Sequence, residues 1–307
     1  MLDPRQLQAL TAVAAEGSVA RAATRLGWSQ PTVDYHLRAL DQLVGSPLVS
    51  RSPRGTSLTA AGTLMLERGS EILALSERAL ADVRELAHMG RTRLRFGSFP
   101  TAAARLLPGI VARLDEVGIE LDVMLEEIAP LVARVNQHTL DAALVYTASG
   151  YALPFRSEVQ TTHVLTDPLL LALPTQHPAA VGGDVDLAAL LALENDSWVF
   201  SATPGDTLDD VVLDAFASAG RRFDVAIRTD DYSVALGMVA AGMGVALIPQ
   251  LAVGTVPDGA VLRTISDPRF AREILLAAPG TSGAGSGAPS PAIRQLAEAV
   301  RRAVAAL

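Results

Sequence analysis

Apolar and polar positions change rhythm twice along this chain. Over residues 1–60 the apolar residues recur at helical spacing in short stretches, each bounded by a cap. Asp3-Pro4-Arg5-Gln6 predicts a helix start: Asp3 caps, Pro4 suits the first helical position, and Gln6 completes a capping box. Leu7, Leu10, Val13 and Ala14 follow, and Gly17 stops the helix. Ser18 caps a second helix that buries Ala22, Ala23 and Leu26 and ends at Gly27. Ser29 caps a third. On it Val33, Leu37, Leu40 and Val44 fall within a narrow arc, because residues advance about 100° each. Gly45 ends it. Residues 48–51 and 56–58 read as two short strands around a Ser52-Pro53-Arg54-Gly55 turn.

Thr59 to about Met89 reads as one long helix. Apolar residues repeat seven apart on two tracks: Met65, Ile72, Ala79 and Leu86, beside Leu66, Leu73, Leu80 and Ala87. Packing on its own domain is the plainer reading of such a stripe. A seven-residue repeat held this long, with no partner helix nearby, favours a seam between two copies. Met65, Ile72, Leu73, Ala79, Leu80 and Val83 are the expected dimerisation residues.

From Arg91 strands and helices alternate. The expected strands are 94–98, 119–125, 142–146, 168–173, 197–200, 224–227, 244–248 and 273–277. The expected helices are 100–116, 130–139, 209–219, 233–241 and one from about Pro291. Alternation predicts βαβ crossovers and mostly parallel sheets, and the length calls for two α/β lobes. Residues 281–289, rich in Gly, Ser and Ala, read as a flexible loop.

Charge sharpens this division. The net charge is -8, yet residues 1–60 hold six arginines against four acids. Every basic residue is Arg, so a choice of Arg over Lys carries no information here. The chain has no cysteine, which removes disulfides, thiolate metal sites and thiol redox sensing. No apolar run reaches the length of a membrane span, and the N-terminus does not read as a signal peptide; a cytoplasmic, membrane-free protein is expected. Enzyme motifs are missing. There is no HExxH, GxSxG or P-loop, and His36, His88, His138, His163 and His177 have no metal-ligand spacing. Gly242-Met243-Gly244 lacks the rest of a dinucleotide fingerprint, and Asp184-Val185-Asp186 lacks that of a calcium loop. Asp209-Asp210 and Asp230-Asp231 read as solvated or capping carboxylates. No enzyme activity, cofactor or metal is expected.

The two short helices joined at Gly27-Trp28, the second capped by Ser29, form a helix-turn-helix. With its apolar arc buried, the third helix shows Pro31, Tyr35, Arg38 and Gln42 outward, flanked by Gln30, Thr32 and Asp34. Such a helix fits the major groove, where Gln pairs with adenine and Arg with guanine. Arg51 and Arg54 would approach phosphates or the minor groove. A polar face is also what any three-helix bundle shows, and arginines in turns are usually solvated; geometry alone leaves both readings open.

The segment Gly17-Ser18-Val19-Ala20-Arg21-Ala22-Ala23-Thr24-Arg25-Leu26-Gly27-Trp28-Ser29-Gln30-Pro31-Thr32-Val33, followed by Leu37, Leu40, Gly45, Leu48, Arg51 and Leu58-Thr59-Ala60-Ala61-Gly62, resembles the N-terminal signature of LysR-type transcriptional regulators. The resemblance is dense over about 60 residues and looser beyond. It implies an α/β chain in three parts. A winged helix-turn-helix spans 1–59 and a dimerising linker helix 60–90. A two-lobed effector domain like type 2 periplasmic binding proteins spans 91–307, with lobe I at 91–161 and 267–307 and lobe II at 162–266. The implied partners are double-stranded promoter DNA, further copies in a dimer and a tetramer, a small-molecule effector, and RNA polymerase. The rival is a small-molecule binding protein of the periplasmic type with no DNA function.

Ser29, Gln30, Pro31, Thr32, Asp34, Tyr35, Arg38, Arg51 and Arg54 are the expected DNA contacts. Asp34 departs from the family, which places a small hydroxyl residue there; it must turn away from phosphate or accept from a cytosine amino group. Tyr35-His36 also replaces a polar or basic pair. The resemblance places effector contacts at Ser98, Phe99, Pro100, Thr101, Ile128, Thr147, Ser201, Thr203 and Asp231. Ile128 stands where many members have Ser or Thr. The hydroxyls among these are equally ordinary helix caps. With no Arg in these loops, a small, moderately polar ligand is expected, a carboxylate among the candidates.

Overall fold

Local capping decides the first sixty residues. The structure, a computed structural model, describes residues 1–52, 55–89, 92–280 and 289–307, without the side chains of residues 78, 81, 82 and 84–89. Helix α1 (Pro4–Glu16) begins with the complete capping box: the Asp3 carboxylate accepts from the Arg5 N–H at 2.9 Å, and the Gln6 side chain accepts from the Asp3 N–H at 3.1 Å. Helix α2 (Val19–Leu26) starts at Ser18 and α3 (Gln30–Val44) at Ser29, whose hydroxyl accepts from the Thr32 N–H at 3.2 Å. Gly17, Gly27 and Gly45 close the three helices with φ of 61°, 66° and 77°, a left-handed conformation that a Cβ disfavours. Leu7, Leu10, Val13, Ala22, Val33, Leu37 and Leu40 pack into one core with Leu48. Val44, expected in that arc, is 39% exposed; it is the last residue of α3, and the buried stripe stops one turn earlier at Leu40.

Strands β1 (Val49–Ser52) and β2 (Gly55–Leu58) pair antiparallel. The tip of that hairpin, with Arg54, lies outside the described residues. Helix α4 (Ala60–Met89) follows. A Cβ on Gly62 would stand 1.9 Å from the Leu48 carbonyl oxygen, so only glycine lets α4 start against that strand. A Cβ on Gly69 would meet the Leu7 side chain at 2.8 Å. These close approaches draw Met65, Leu66 and Leu73 partly into the helix's own domain core. Met65 and Leu73, expected in an intermolecular seam, thus also pack on this core. Ile72, Leu75, Ala79, Leu80 and Val83 stay exposed; the side chains of Leu86 and Ala87 lie outside the described residues.

By internal contacts residues 1–92, with 137–139, form one compact unit and the rest of the chain another. The helix expected as a separate linker thus groups with the N-terminal part. Among the described residues no helix is long and apolar enough to cross a membrane.

The second unit contains β3 (Thr92–Ser98), α5 (Pro100–Asp115), β4 (Ile119–Leu125), α6 (Ile128–Asn136), β5 (Ala142–Ala148) and β6 (Val159–Pro174). Then come α7 (Leu187–Leu191), β7 (Ser197–Phe200), α8 (Thr207–Ser218), β8 (Asp224–Arg228) and α9 (Tyr232–Ala240). Strands β9 (Val245–Pro249), β10 (Ala260–Thr264) and β11 (Ala271–Pro279) precede α10 (Pro291–Val304). The strands join in the order β4-β3-β5-β11-β6-β9-β7-β8, with β10 also on β6. Two α/β lobes share this path. The expected loop 281–289 lies, but for its last residue, outside the described residues.

The sheet is mixed, not mostly parallel. β3 pairs with β5, and β7 with both β8 and β9, in parallel; β11 pairs antiparallel with β5 and β6, and β6 antiparallel with β9 and β10. The cause is the double crossing between lobes. The chain leaves lobe I along β6 and returns along β11 beside it, so the two must run oppositely. Up to Pro168 β6 pairs with β11; from Leu169 it pairs with β9. Its first half is polar and exposed, which is why its pattern reads as a strand only from Pro168.

At this crossing Arg272 of β11 stands opposite Asp167 of β6. Their side chains, 1% and 3% exposed, pair at 2.8 Å. Asp167 also accepts from the Leu251 N–H at 2.9 Å, and Arg272 donates to the Thr101 hydroxyl at 2.9 Å. The guanidinium carbon lies 5.0 Å from the ring centroids of both Phe99 and Tyr146. Removing one partner leaves the other charge buried and uncompensated, at a cost of roughly 3–5 kcal/mol. Asp167→Ala should therefore lose about that much in equilibrium denaturant unfolding. A midpoint equal to wild type would show that the pair does not hold the crossing together.

Candidate functional site

In the first unit the candidate surface is the outer face of α3. Gln30, Pro31, Tyr35, Arg38 and Gln42 are exposed, and Thr32 is half-buried. The Ser29 hydroxyl lies 2.7 Å from that of Thr32, so the cap also orients the first turn. Tyr35 is 66% exposed and sits edge-on to His36, which packs against Trp28. Asp34 neither turns away nor stands free. Its carboxylate accepts from Arg51 of β1 at 2.6 Å, and Arg38 donates to its carbonyl at 3.3 Å. Arg51 is thus tied to α3, which its sequence position did not disclose. Arg54 lies outside the described residues.

In the second unit a cavity of about 70 Å³ opens between the lobes, and a neighbouring one of about 330 Å³ shares Glu127, Tyr146 and Asp206 with it. Phe99, Pro100, Thr101 and Ser201 line the first; Ile128 and Thr203 line the second. The expected hydroxyls are near but mostly engaged. Ser98 is fully buried and donates to the Phe99 carbonyl at 3.2 Å. Thr147 donates to the Tyr151 carbonyl at 3.1 Å. Thr101 accepts from Arg272. Ser201 and Thr203 both donate to Asp230, at 2.6 Å and 3.1 Å. Asp231 caps α9, accepting from the Ser233 N–H at 2.8 Å. Most of the expected hydroxyls thus already serve hydrogen bonds within the fold.

Sequence reasoning missed Arg272, Asp167, Tyr146, Glu127, Asp206 and Tyr232. A charged residue between Ala271 and Ile274 in an apolar strand was the one available signal for Arg272. The absence of Arg from the nearby loops did not keep Arg out of the cleft, because Arg272 arrives from a strand far along the chain.

Acids dominate what remains. Burial, then the charges of Asp230 and Asp206, raise the pKa of Glu127. Burial also raises Asp206, against the bonds it accepts from the Leu208 N–H and the Tyr146 hydroxyl. Asp209 is not simply solvated. Burial first, and the neighbouring Asp206 next, push its carboxyl up to about 7. Burial opposes ionisation of Asp230 too, but the bonds from Ser201, Thr203 and the Ala202 N–H outweigh it and hold Asp230 below the usual carboxylate range. The lobes also meet directly across the cleft. Tyr146 donates to Asp206 at 3.2 Å, the Ala148 N–H to Thr207 at 3.0 Å, and Tyr151 to Asp214.

Comparison with known proteins agrees with both halves. A family model described as the bacterial regulatory helix-turn-helix protein, lysR family, matches residues 4–63, and one described as the LysR substrate binding domain matches residues 87–305. The small neutral protease regulatory protein of Streptomyces coelicolor is 34% identical over 280 residues, covering 90% of this chain and 82% of that protein. A probable hydrogen peroxide-inducible genes activator of Mycobacterium avium is 33% identical over 251 residues, covering 80% of this chain and 78% of its own length. The fold is that of full-length CbnR, solved with its target DNA, at a TM-score of 0.61 and 24% identity over 98% of this chain and 100% of that one.

The raised carboxyls set a pH slope. Asp209, with Asp206 and Glu127 shifted the same way, binds its proton more tightly folded than unfolded. The folded state therefore holds more protons across the window from about pH 4, where an unfolded Asp titrates, to about 7 for Asp209. The contribution of these three groups to stability falls as pH rises through that window. Asp209→Asn should flatten the decline in melting temperature between its ends, and an identical slope in the variant would refute the assignment.

Proposed function

The chain belongs to the LysR family of transcriptional regulators, and from that premise we propose how its parts divide the work. Helix α3 enters the major groove. The observation that carries this is its two-sidedness: Val33, Leu37 and Leu40 are fully buried, while Gln30, Pro31, Tyr35 and Arg38 stand clear on the other side. Ser29 and Thr32 fix the leading turn, whose residues reach base edges. Arg51, held by Asp34, meets the phosphate backbone beside α3, and Arg54 is a second phosphate contact. Asp34 acts as the anchor of Arg51 rather than as a base reader.

Two copies pair along the exposed stripe of Ile72, Leu75, Ala79, Leu80 and Val83 on α4, and dimers pair again into a tetramer. A two-fold dimer reads an inverted-repeat operator. The cleft between the lobes takes a small effector, with Thr101, Ile128 and Phe99 among its lining. The protein works in the cytoplasm on promoter DNA and acts on RNA polymerase, with no enzymatic step of its own. A peroxide signal read through a thiol is closed to this chain, which has no cysteine.

Gel shifts on the intergenic DNA beside its own gene, at stated salt, test the reading. Arg38→Ala should lose roughly 1–3 kcal/mol of specific affinity and relax base preference, whereas Arg51→Ala should weaken all sequences alike and reduce the salt slope. Wild-type affinity in both variants would overturn the placement of α3. Ile72→Asp should give a monomer by light scattering and lose operator binding with it; a dimer that persists in this variant would move the seam elsewhere.

A further inference from the structure

We infer that the cleft between the lobes takes a small organic cation, an alkylamine or a guanidine, rather than an anion. The inference rests on the reading of this cleft as the effector site and adds the chemical class of the effector. Glu127, Asp206, Asp209 and Asp230 all line the first cavity, and the single arginine lining it, Arg272, is already neutralised by Asp167. Both faces of the Arg272 problem are closed: its Nε serves Asp167, an Nη serves Thr101, and the rings of Phe99 and Tyr146 flank it. Two other arginines nearby are engaged with backbone carbonyls, and Arg228 is close enough to Asp209 to favour its ionisation. Arg228 donates to the Ser201 carbonyl, and Arg105 to the carbonyls of Leu251 and Val253.

Two polar groups in this wall have no partner. The Glu127 carboxylate and the Tyr232 hydroxyl make no hydrogen bond among the described residues. Tyr232 is half-buried, and burial raises its pKa. Glu127 lines both cavities. It and Tyr232 are therefore open acceptors for the N–H groups of a ligand, whereas Asp230 is already met by four donors.

The carboxylates are spread around the wall. Among the described residues no three His, Asp or Glu side chains are placed to hold a metal ion, so an extended organic cation fits them and a bare divalent ion does not. Phe200, Leu208, Val212 and Ala235 supply apolar wall for an alkyl stem, and the faces of Phe200 and Tyr232 suit an ammonium group. An anionic ligand would add like charge beside Asp230, which is held ionised, and beside Glu127, Asp206 and Asp209, whose ionisation is already resisted; a cation relieves that repulsion.

Calorimetry on the full-length protein with putrescine and with succinate, two four-carbon chains of opposite end charge, tests this. Putrescine should bind saturably at millimolar concentration and succinate should not. Glu127→Gln should weaken putrescine roughly tenfold or more, the worth of one hydrogen bond to a charged group, without lowering the melting temperature of the free protein. Succinate binding that strengthens in Glu127→Gln would leave the cleft as the effector site and overturn the charge assignment. Putrescine binding unchanged in both Glu127→Gln and Asp206→Asn would remove the site itself, and with it the reading of this cleft. Binding of neither probe would overturn the cationic class.

Discussion

One buried ion pair organises the second half of this molecule. Arg272 and Asp167 meet where the chain crosses between lobes, and each carries a bond to a different lobe: Asp167 to the Leu251 backbone, Arg272 to Thr101 at the start of α5. Two charges at 1% and 3% exposure are stable only if every donor and acceptor is met. Here the desolvation is offset by the pair itself, by those two bonds, and by the aromatic rings on either side of the guanidinium. The arrangement leaves little freedom for β6 and β11 to slip in register, since a one-residue shift would turn Arg272 to the opposite face of the sheet. It also decides the chemistry of the cleft. The one arginine among the cavity's lining residues is paired with Asp167, and four acids share that lining with it.

What could be read from the sequence was what is local. Caps at Asp3, Ser18 and Ser29 and the stops at Gly17, Gly27 and Gly45 act within a few residues, and α1, α2 and α3 begin and end where they place them. The stripe on α4 was legible as a stripe, but the same apolar residues serve either partner. Whether Leu73 faces the helix's own domain depends on Gly62 and Gly69 allowing close approach, and that is a three-dimensional fact. Strand direction was lost for a related reason. Alternation of strand and helix suits parallel crossovers, and nothing in the residues of β11 announces that it returns beside β6. The cleft was least legible. Its hydroxyls lay near the expected places, yet Asp230 had taken Ser201 and Thr203, and Arg272 came from more than a hundred residues away.

The surface proposed to face DNA shows the same local balance of charge. Asp34 would repel phosphate if free. Paired with Arg51 at 2.6 Å it instead fixes the direction of a cation that would otherwise sample solvent. Both partners are partly exposed, so the pair itself adds little stability. Its worth lies in preorganisation: an arginine already held beside the reading helix loses less conformational freedom on meeting phosphate. Among the described residues Arg38 then has no carboxylate partner on the exposed face of α3; it donates to the Asp34 carbonyl one turn back. A departure from the family pattern at Asp34 is thus compensated by a neighbour that the family pattern also contains.

For a ligand in the cleft to change what the protein does, it must bind one arrangement of the lobes better than another. The structure shows which contacts are at stake. Tyr146, Ala148 and Tyr151 on one side reach Asp206, Thr207 and Asp214 on or before α8 on the other. Tyr146 and Asp206 belong both to this bridge and to the cavity wall. A group that took the Asp206 carboxylate for itself would compete with the Tyr146 hydroxyl, while a group that neutralised it would leave the bridge in place and remove the repulsion behind it. The two cases move the lobes in opposite directions. The crossing at Arg272 and Asp167 would act as the fixed point in either, because the pair joins the two adjacent strands that connect the lobes.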